Sequence, residues 1–202
     1  DFEEKLRILL ENANGDALTS APVLSKLAFE EYEAYLNIRA PYNVKEDANL
    51  PKEASSIRTK ALAPLNELYF DRIADRRLKR CLCQYPTQAA AQEAGMALSQ
   101  YAEFVFTACG LNTDPTKYWL EVRVLQQRIV DYLNSVSDMR FVTRNTDISF
   151  SVAGRIWINS DGKSNMPSGE VFSAPIEDSV NGIITFSYPS IYMGEAVENV
   201  EL

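Results

Sequence analysis

Glycine is distributed very unevenly along this chain of 202 residues, and the distribution limits the folds that it can adopt. Only three of the eight glycines precede residue 150, so long helices can run there without interruption. The others follow at turn-like intervals: Gly154, Gly162, Gly169, Gly182 and Gly194. The sequence therefore predicts an α/β fold with a helix-rich first part and a last part built mainly of strands and turns.

Two strand patterns in the first part enclose a long helical pattern. Residues 33–41 partly alternate and end at a proline, and residues 78–85 form a second short strand-like run. Between them, residues 52–76 form a charged helical segment in which Pro64 either kinks one helix or separates two. A strand, a helix and a second strand with a crossover of this length predict a parallel sheet.

A further helix is predicted after Asp114-Pro115, because aspartate is a good N-cap and proline fits the first helical position. Its apolar residues step by three and four: Tyr118, Val122, Leu125, Ile129 and Leu133. We expect this stripe to be the buried face of the helix. From residue 139 the period changes to two, and later strands are predicted at 170–173, 183–188 and 197–202.

The chain contains no histidine. Serine triads, cysteine–histidine pairs and histidine-ligated zinc all need an imidazole, so these residues alone form none of them. Three cysteines are too few for a disulfide framework, and Cys81 and Cys83 are one residue closer than the usual redox or zinc spacing. So few cysteines favour a reducing compartment. The sequence has no apolar run of membrane length and no signal-peptide pattern, so we expect a cytoplasmic protein without a membrane partner.

Acidic residues outnumber basic ones by 28 to 20, which gives a formal net charge of −8. This sign opposes binding to phosphate backbones, so nucleic acid is not an expected partner. The excess lies mostly near the end of the chain, where residues 146–202 contain eight acidic and two basic side chains. Such a region suits the binding of cations or amines, although a solvated acidic surface is the simpler explanation.

The polar pattern of residues 154–182 is not readily explained by packing. Pro167 and Gly169 fix a tight turn, and Glu170 follows where a strand begins, next to apolar residues. A carboxylate beside apolar side chains is costly to desolvate unless a cation pairs with it, and divalent metal ions bind carboxylate oxygen. Residue types alone leave three alternatives open for Glu170: a metal ligand, an exposed turn residue, or a partner of Arg155.

The same segment resembles a known family. The matching motifs are Gly154-Arg155-x-Trp157, Asn165-Met166-Pro167-x-Gly169-Glu170-Val171-Phe172-x-x-Pro175 and Asp178-Ser179-Val180-Asn181-Gly182. They are similar to the start of the catalytic domain of the thermophilic metallopeptidase family, whose members are aminopeptidases. Further similarity, as at Tyr85-Pro86-Thr87, extends the resemblance over most of residues 30–202.

The resemblance implies a metal-dependent exopeptidase that removes N-terminal residues from peptides at a site with two divalent ions. The family's ligands are two glutamates, two histidines, a tyrosine and an aspartate, and the first glutamate matches Glu170. Arg155 and Asn165 match the motifs as weaker supporting candidates, because an ion pair and an Asx turn explain them nearly as well. No catalytic residue is identified. The implied ions are Zn, Co, Mn or Mg, and the implied assembly is a homodimer.

Because the two family histidines are missing, we expect the chain to hold only part of such a site. Residues 1–145 are expected to form an N-terminal α/β domain and residues 146–202 the beginning of the catalytic domain. Both ends are expected to be truncated, since a helical pattern starts at residue 1 and the last strand pattern is not closed. Such a chain is expected to be inactive alone and to bind metal weakly.

Two other functions remain open at this stage. The first is a non-catalytic α/β binding or dimerisation module. It differs from the enzyme only in whether the remaining metal ligands would follow residue 202. The second is a nucleotide-binding domain, which is less favoured because no Gly-x-Gly-x-x-Gly or Walker loop accompanies the α/β unit.

Overall fold

The computed structural model describes residues 5–186, 190–192 and 195–197. The helices are α1 (Lys5–Asn12), α2 (Gly15–Thr19), α3 (Val23–Glu31), α4 (Lys52–Ala74), α5 (Gln88–Glu93), α6 (Leu98–Ala108) and α7 (Pro115–Leu133). The strands are β1 (Ala34–Arg39), β2 (Lys79–Gln84), β3 (Asp138–Val142), β4 (Asp147–Ser151), β5 (Ile158–Ser160), β6 (Asn165–Met166), β7 (Glu170–Phe172), β8 (Asn181–Ile183), β9 (Ser190–Tyr192) and β10 (Glu195–Val197). A short 3-10 helix spans Glu177–Ser179. Within these residues, no helix combines the length and the apolar character needed to cross a bilayer.

The chain packs as two compact units, one formed mainly by residues 1–103 and the other by residues 104–190. The first unit contains the parallel strands, and the second contains α7 and antiparallel strands. The domain boundary expected at residue 145 stays a prediction. The helix start expected at residue 1 and most of the strand expected at 197–202 fall outside the described residues.

In the first unit, β1 and β2 form the parallel pair that the sequence predicts. Their register runs from Ala34 opposite Lys79 to Arg39 opposite Gln84. The crossover is α4, a single helix that continues through Pro64, and it packs against α2 and α3. The proline therefore does not divide the segment into two helices.

The two faces of the parallel pair have different surroundings. Tyr35 packs on one face against Phe29 of α3 and Tyr69 of α4, with ring centroids 5.5 and 5.9 Å away. Leu36 and Ile38 point to the opposite face, because side chains alternate along a strand, and they are 62% and 59% exposed. In the described part of the chain this second face is therefore largely open to solvent.

Two buried arginines of α4 fasten the preceding helices. Arg58 donates hydrogen bonds to the carbonyl groups of Leu18 and Ser20 at the end of α2. Arg72 donates to the carbonyl group of Phe29 near the end of α3. The last carbonyls of a helix have no donor within the helix, and a cation there also interacts favourably with the helix dipole. The two arginines thus attach α2 and α3 to α4.

In the second unit, α7 begins as predicted. The carboxylate of Asp114 accepts hydrogen bonds from the backbone N–H groups of Thr116 and Lys117, at 3.0 and 3.2 Å. Pro115 occupies the first helical position, where the absence of an N–H group costs nothing.

Five strands of the second unit form two small antiparallel sheets. One has the order β3-β4-β8, and the other pairs β5 with β7. The strand predicted at 170–173 is confirmed as β7. The strand predicted at 183–188 is shifted toward the start of the chain, since β8 overlaps the predicted range at residue 183 only. Residues 187–189 lie outside the described part of the chain.

The buried face of α7 is not the one that the sequence predicts. Of the predicted stripe, Tyr118, Leu125 and Ile129 are exposed and the other two residues are half-buried. The side chains that the helix buries are Trp119, Gln126 and Val130. The prediction was wrong because α7 carries apolar residues on two sides. The β5–β7 hairpin packs on the side that contains Gln126, which donates hydrogen bonds to backbone carbonyl groups of the hairpin.

Gly182 lies where two strands approach each other closely. It is opposite Ile148 in the β4–β8 ladder and has a φ of +128°. A Cβ atom at this position would lie 2.1 Å from the carbonyl oxygen of Asp147. Both the backbone conformation and the available space therefore require glycine.

We expect Gly182→Ala to lower the free energy of unfolding by more than about 3 kcal/mol, because β8 must move away from β4 to admit the methyl group. Gly154→Ala is the matched control, since Gly154 also has a positive φ, +71°, but has open space around it. The control should cost about 1–2 kcal/mol. Urea denaturation followed by circular dichroism measures both, and equal losses would contradict the close approach of the strands.

Candidate functional site

The β5–β7 hairpin presents Glu170 at the start of a strand, as the sequence predicts. Ser160 of β5 is opposite Glu170 of β7. The carbonyl group of Ser160 accepts hydrogen bonds from the hydroxyl of Ser168 at 2.8 Å and from the N–H group of Gly169 at 3.1 Å. The loop is therefore closed immediately before Glu170. The Met166–Pro167 peptide bond in this loop is cis.

Helix α7 holds the hairpin through Gln126. Its side-chain nitrogen lies 2.9 Å from the side-chain oxygen of Asn159, 3.2 Å from the carbonyl of Ser160 and 2.9 Å from the carbonyl of Glu170. Gln126 is only 6% exposed. Buried amide donors of this kind fix the groups that they bind, since a lost partner leaves an unsatisfied polar atom. The backbone of Glu170 is thereby attached directly to α7.

A buried ion pair fixes the other end of the hairpin loop. Asp161 is 5% exposed and accepts a hydrogen bond from Arg123 of α7. The ammonium group of Lys163 lies 3.1 Å from the same carboxylate. Burial opposes ionisation of Asp161, but the hydrogen bonds from both cations outweigh it, so the pKa of this carboxyl is held below its ordinary value.

Trp119 completes the contact between α7 and the loop. Its indole N–H donates to the carbonyl of Cys109 at 2.8 Å. A Cβ atom on Gly162 would lie 3.0 Å from the indole ring, so glycine allows the loop to pass close to Trp119. Three α7 residues therefore contact the hairpin and its loop, Trp119, Arg123 and Gln126, and Val130 is buried further along the same helix.

Glu170 itself has an exposed side chain. Among the described residues, no hydrogen bond or ion pair engages its carboxylate. Its acidic neighbours differ: Asp147 pairs with Arg140, and Asp161 pairs with Arg123. The expectation that apolar neighbours would desolvate the Glu170 carboxylate is not met, because the strand turns this side chain outward. The carboxylate is available to an external cation.

Arg155 pairs with Glu177 and not with Glu170, so one of the three sequence-based alternatives for Glu170 is removed. The guanidinium of Arg155 donates to the carboxylate of Glu177 at 2.7 Å and to the carbonyl of Pro175 at 2.9 Å. A hydrogen bond from the backbone N–H of Glu177, together with the charge of Arg155, lowers the pKa of this carboxyl. Arg155 thus connects two segments of the family motif.

Asn165 lies in β6 and is half-buried. An Asx turn before Pro167 was one expectation for it, and the structure places it in a strand. Its proposed supporting role stays a prediction.

The family implies a metal centre, and the residues described here do not form one by themselves. Divalent ions need several oxygen or nitrogen ligands in a defined geometry. In the described ranges, no group of three or more histidine, cysteine, aspartate or glutamate side chains is placed to hold a metal ion. Glu170 can supply one ligand to such a centre, and one carboxylate is not sufficient.

Sequence reasoning missed the residues that position Glu170. The stripe that it predicted on α7 includes neither Arg123 nor Gln126, which bind the loop and the hairpin. The available signal was the spacing of residues 119, 123, 126 and 130, which places a tryptophan, two polar residues and a valine on one helix face.

Fold and hairpin together define an α/β protein whose second unit presents the unpaired carboxylate of Glu170 at the start of a strand. The family model described as thermophilic metalloprotease (M29) matches residues 1–202. The chain therefore belongs to the thermophilic metalloprotease (M29) family, as the motifs predict.

Individual relatives agree with this assignment. The chain is 28% identical over 218 residues to Aminopeptidase 2 of Geobacillus stearothermophilus, covering 96% of this chain and 52% of that protein. It is 29% identical over 112 residues to Aminopeptidase AmpS of Bacillus subtilis (strain 168), covering 50% of this chain and 27% of that protein. The chain thus spans about half of Aminopeptidase 2 and a smaller share of AmpS.

A solved structure shows the same fold. The structure titled wild-type AmpT from Thermus thermophilus superposes with a TM-score of 0.73 at 23% sequence identity. The match covers 97% of this chain and 53% of that chain. The predicted α/β class with a parallel sheet is confirmed.

We expect Asp161→Asn to lower the free energy of unfolding at pH 7 by about 2 kcal/mol, because it removes a charged hydrogen-bond acceptor from a buried position. The pKa of Asp161 is lower in the folded than in the unfolded chain. Its stabilising contribution is therefore present above the ordinary carboxyl pKa of about 3.9 and is lost as the pH falls through the folded value. The difference between the wild type and the variant should shrink below about pH 4.

Asp147→Asn is the control for this experiment. Asp147 forms an exposed pair with Arg140, and solvent screens such pairs. Denaturation curves collected from pH 3 to pH 7 should show a clearly smaller effect for this variant. A pH-independent loss for Asp161→Asn would contradict the assignment of the ion pair as its cause.

Proposed function

We propose that this chain is part of a metal-dependent aminopeptidase in which Glu170 is a ligand of a site for two divalent ions. Membership of the M29 family and the aminopeptidase names of its relatives support the class of reaction. The observation that carries the assignment of Glu170 is its unpaired, exposed carboxylate on a backbone fixed by Gln126.

Rigid presentation is what a metal ligand requires. A ligand that moves must lose conformational freedom when the ion binds, whereas a fixed backbone has already lost it. Gln126 and the closed loop hold the backbone of Glu170, and no neighbouring cation among the described residues competes for its carboxylate. Asp147, Asp161 and Glu177 are less suitable because each is already neutralised by an arginine or lysine.

The chain spans about half of Aminopeptidase 2, and we propose that the remaining ligands belong to parts of the protein outside these 202 residues. On this proposal, residues 1–145 are the N-terminal domain and residues 146–202 begin the catalytic domain. The chain alone has no peptidase activity, and its Glu170 binds Zn, Co, Mn or Mg ions weakly, because one carboxylate cannot complete their coordination.

Glu170→Gln in the whole protein should abolish most aminopeptidase activity, since the amide is a poor ligand for divalent ions. The assay measures release of a chromophore from aminoacyl anilides with added divalent metal. Because the side chain is exposed and unpaired, the stability of the variant should change by less than about 0.5 kcal/mol. Loss of activity without loss of stability separates a ligand from a structural residue.

Asp178→Asn is the matched control, because Asp178 is also an exposed acidic residue in the family motif. It should retain the activity of the wild type. Wild-type activity of Glu170→Gln would refute its role as a ligand. Full activity of the 202-residue chain by itself would refute the need for ligands from outside it.

A second candidate function, a dimerisation module, is favoured by the outer face of α7. Leu120, Val124 and Leu125 are 48%, 56% and 59% exposed there, beside a groove of about 620 Å³. Acidic Glu121 and basic Arg128 border the groove. A two-fold contact needs a surface that complements itself, and this mixture of apolar, acidic and basic groups meets that need. A homodimer, which the family resemblance also implies, would bury it.

Leu125→Glu should therefore shift the molar mass measured by light scattering from dimer to monomer, because it places a charge in the apolar contact. Leu24→Glu is the control, since Leu24 is an 80% exposed leucine on α3 in the other unit. The control should remain a dimer. A monomeric wild type at tens of micromolar would refute this function.

The cellular location belongs to the same proposal. All three cysteines are free thiols, and the Sγ atoms of Cys81 and Cys83 are 3.8 Å apart without a bond. Sparse, reduced cysteines are typical of a reducing compartment. We therefore propose a cytoplasmic aminopeptidase that acts on peptides.

A further inference from the structure

Cys81 and Cys83 form a pair of thiols on one face of β2. They are two residues apart on an extended strand, so both side chains point in the same direction. Their Sγ atoms are 3.8 Å apart, and both residues are half-buried. Cys109, the third cysteine, is buried and lies in the other unit of the chain.

The pair lies on the open face of the parallel sheet. Cys81 is opposite Leu36 and Cys83 is opposite Ile38 in the ladder, and paired residues point to the same face. Leu36 and Ile38 are both more than half exposed. The helices that pack on Tyr35 cover the other face. Both sulfur atoms can therefore be approached from solvent.

We propose that Cys81 and Cys83 bind a soft divalent cation of the zinc type through their two sulfur atoms. Zinc–sulfur bonds are about 2.3 Å long, and a tetrahedral angle between two of them places the sulfur atoms about 3.8 Å apart. The sulfur atoms of this strand already have that separation. In the described part of the chain no third acidic or cysteine side chain joins them. Water completes the coordination.

The strand geometry favours this role over a disulfide. Residues i and i+2 of a strand have Cα atoms about 6.6 Å apart, near the upper limit for a disulfide. Pairing with β1 holds the strand extended on both sides of the cysteines. Bridging a cation needs no backbone movement, whereas a disulfide would pull the strand out of register.

Binding exchanges protons for the cation. Each thiol loses one proton to solvent, each thiolate donates one electron pair, and no group is oxidised or reduced. Burial and the neighbouring Cys83 raise the pKa of the Cys81 thiol. The site shares no residue with the one proposed at Glu170, because both cysteines lie on β2 of the first unit and Glu170 lies on β7 of the second.

The proposal is tested by titrating the reduced chain with Cd²⁺ under nitrogen. Cadmium–thiolate bonds absorb in the ultraviolet, and this absorption should saturate at one equivalent of Cd²⁺. A large excess of Zn²⁺ should displace Cd²⁺, while the same excess of Ca²⁺ should not, because calcium prefers oxygen ligands. Cys81→Ser and Cys83→Ser should each weaken binding more than tenfold and lower the absorption per bound ion.

Cys109→Ser and Glu170→Gln are the controls, and both should bind Cd²⁺ as the wild type does. Circular dichroism verifies that every variant is folded, and if one of the two strand variants fails to fold, the other decides. The proposal is overturned if no absorption appears at one equivalent, if Cys109→Ser removes it, or if either strand variant binds normally. These readouts do not depend on peptidase activity.

Discussion

The second unit depends on one buried amide. Gln126 lies between α7 and the β5–β7 hairpin and reaches the carbonyl groups of Ser160 and Glu170 as well as the side chain of Asn159. Each buried carbonyl without a donor would cost about 1–3 kcal/mol. An apolar side chain at position 126 would remove a donor from each of these acceptors. The polar residue therefore determines which side of the helix is buried.

Helix α7 also determines how the two acidic residues of the hairpin and its loop are held. Asp161 is drawn under α7 by Arg123 and loses its contact with solvent, so its charge serves the fold. Glu170 is fixed through its backbone, and its side chain remains exposed. Two acidic residues nine positions apart are thus held differently, because the helix binds the side chain of one and the main chain of the other.

Structural features that depend on residues close together in the sequence were predicted better than features that depend on distant residues. The cap at Asp114 and the parallel crossover were predicted because their residues interact with near neighbours or follow a simple topological rule. The buried side of α7 was predicted wrongly, since the hairpin that selects it lies more than 25 residues later in the chain. Glu170 was proposed as a ligand from a family motif, and Arg155, its alternative partner in the sequence, pairs with Glu177 instead.

In the first unit, the two faces of the parallel strands differ in burial. Parallel strands are usually covered on both faces, and here the described helices cover the face of Tyr35. The opposite face presents Leu36 and Ile38 beside two thiols in the same register. A buried thiol acts as a small apolar side chain, whereas an accessible pair at 3.8 Å has the spacing of a chelate. Sulfur ligands on this face favour softer ions than the carboxylate oxygen of the hairpin does.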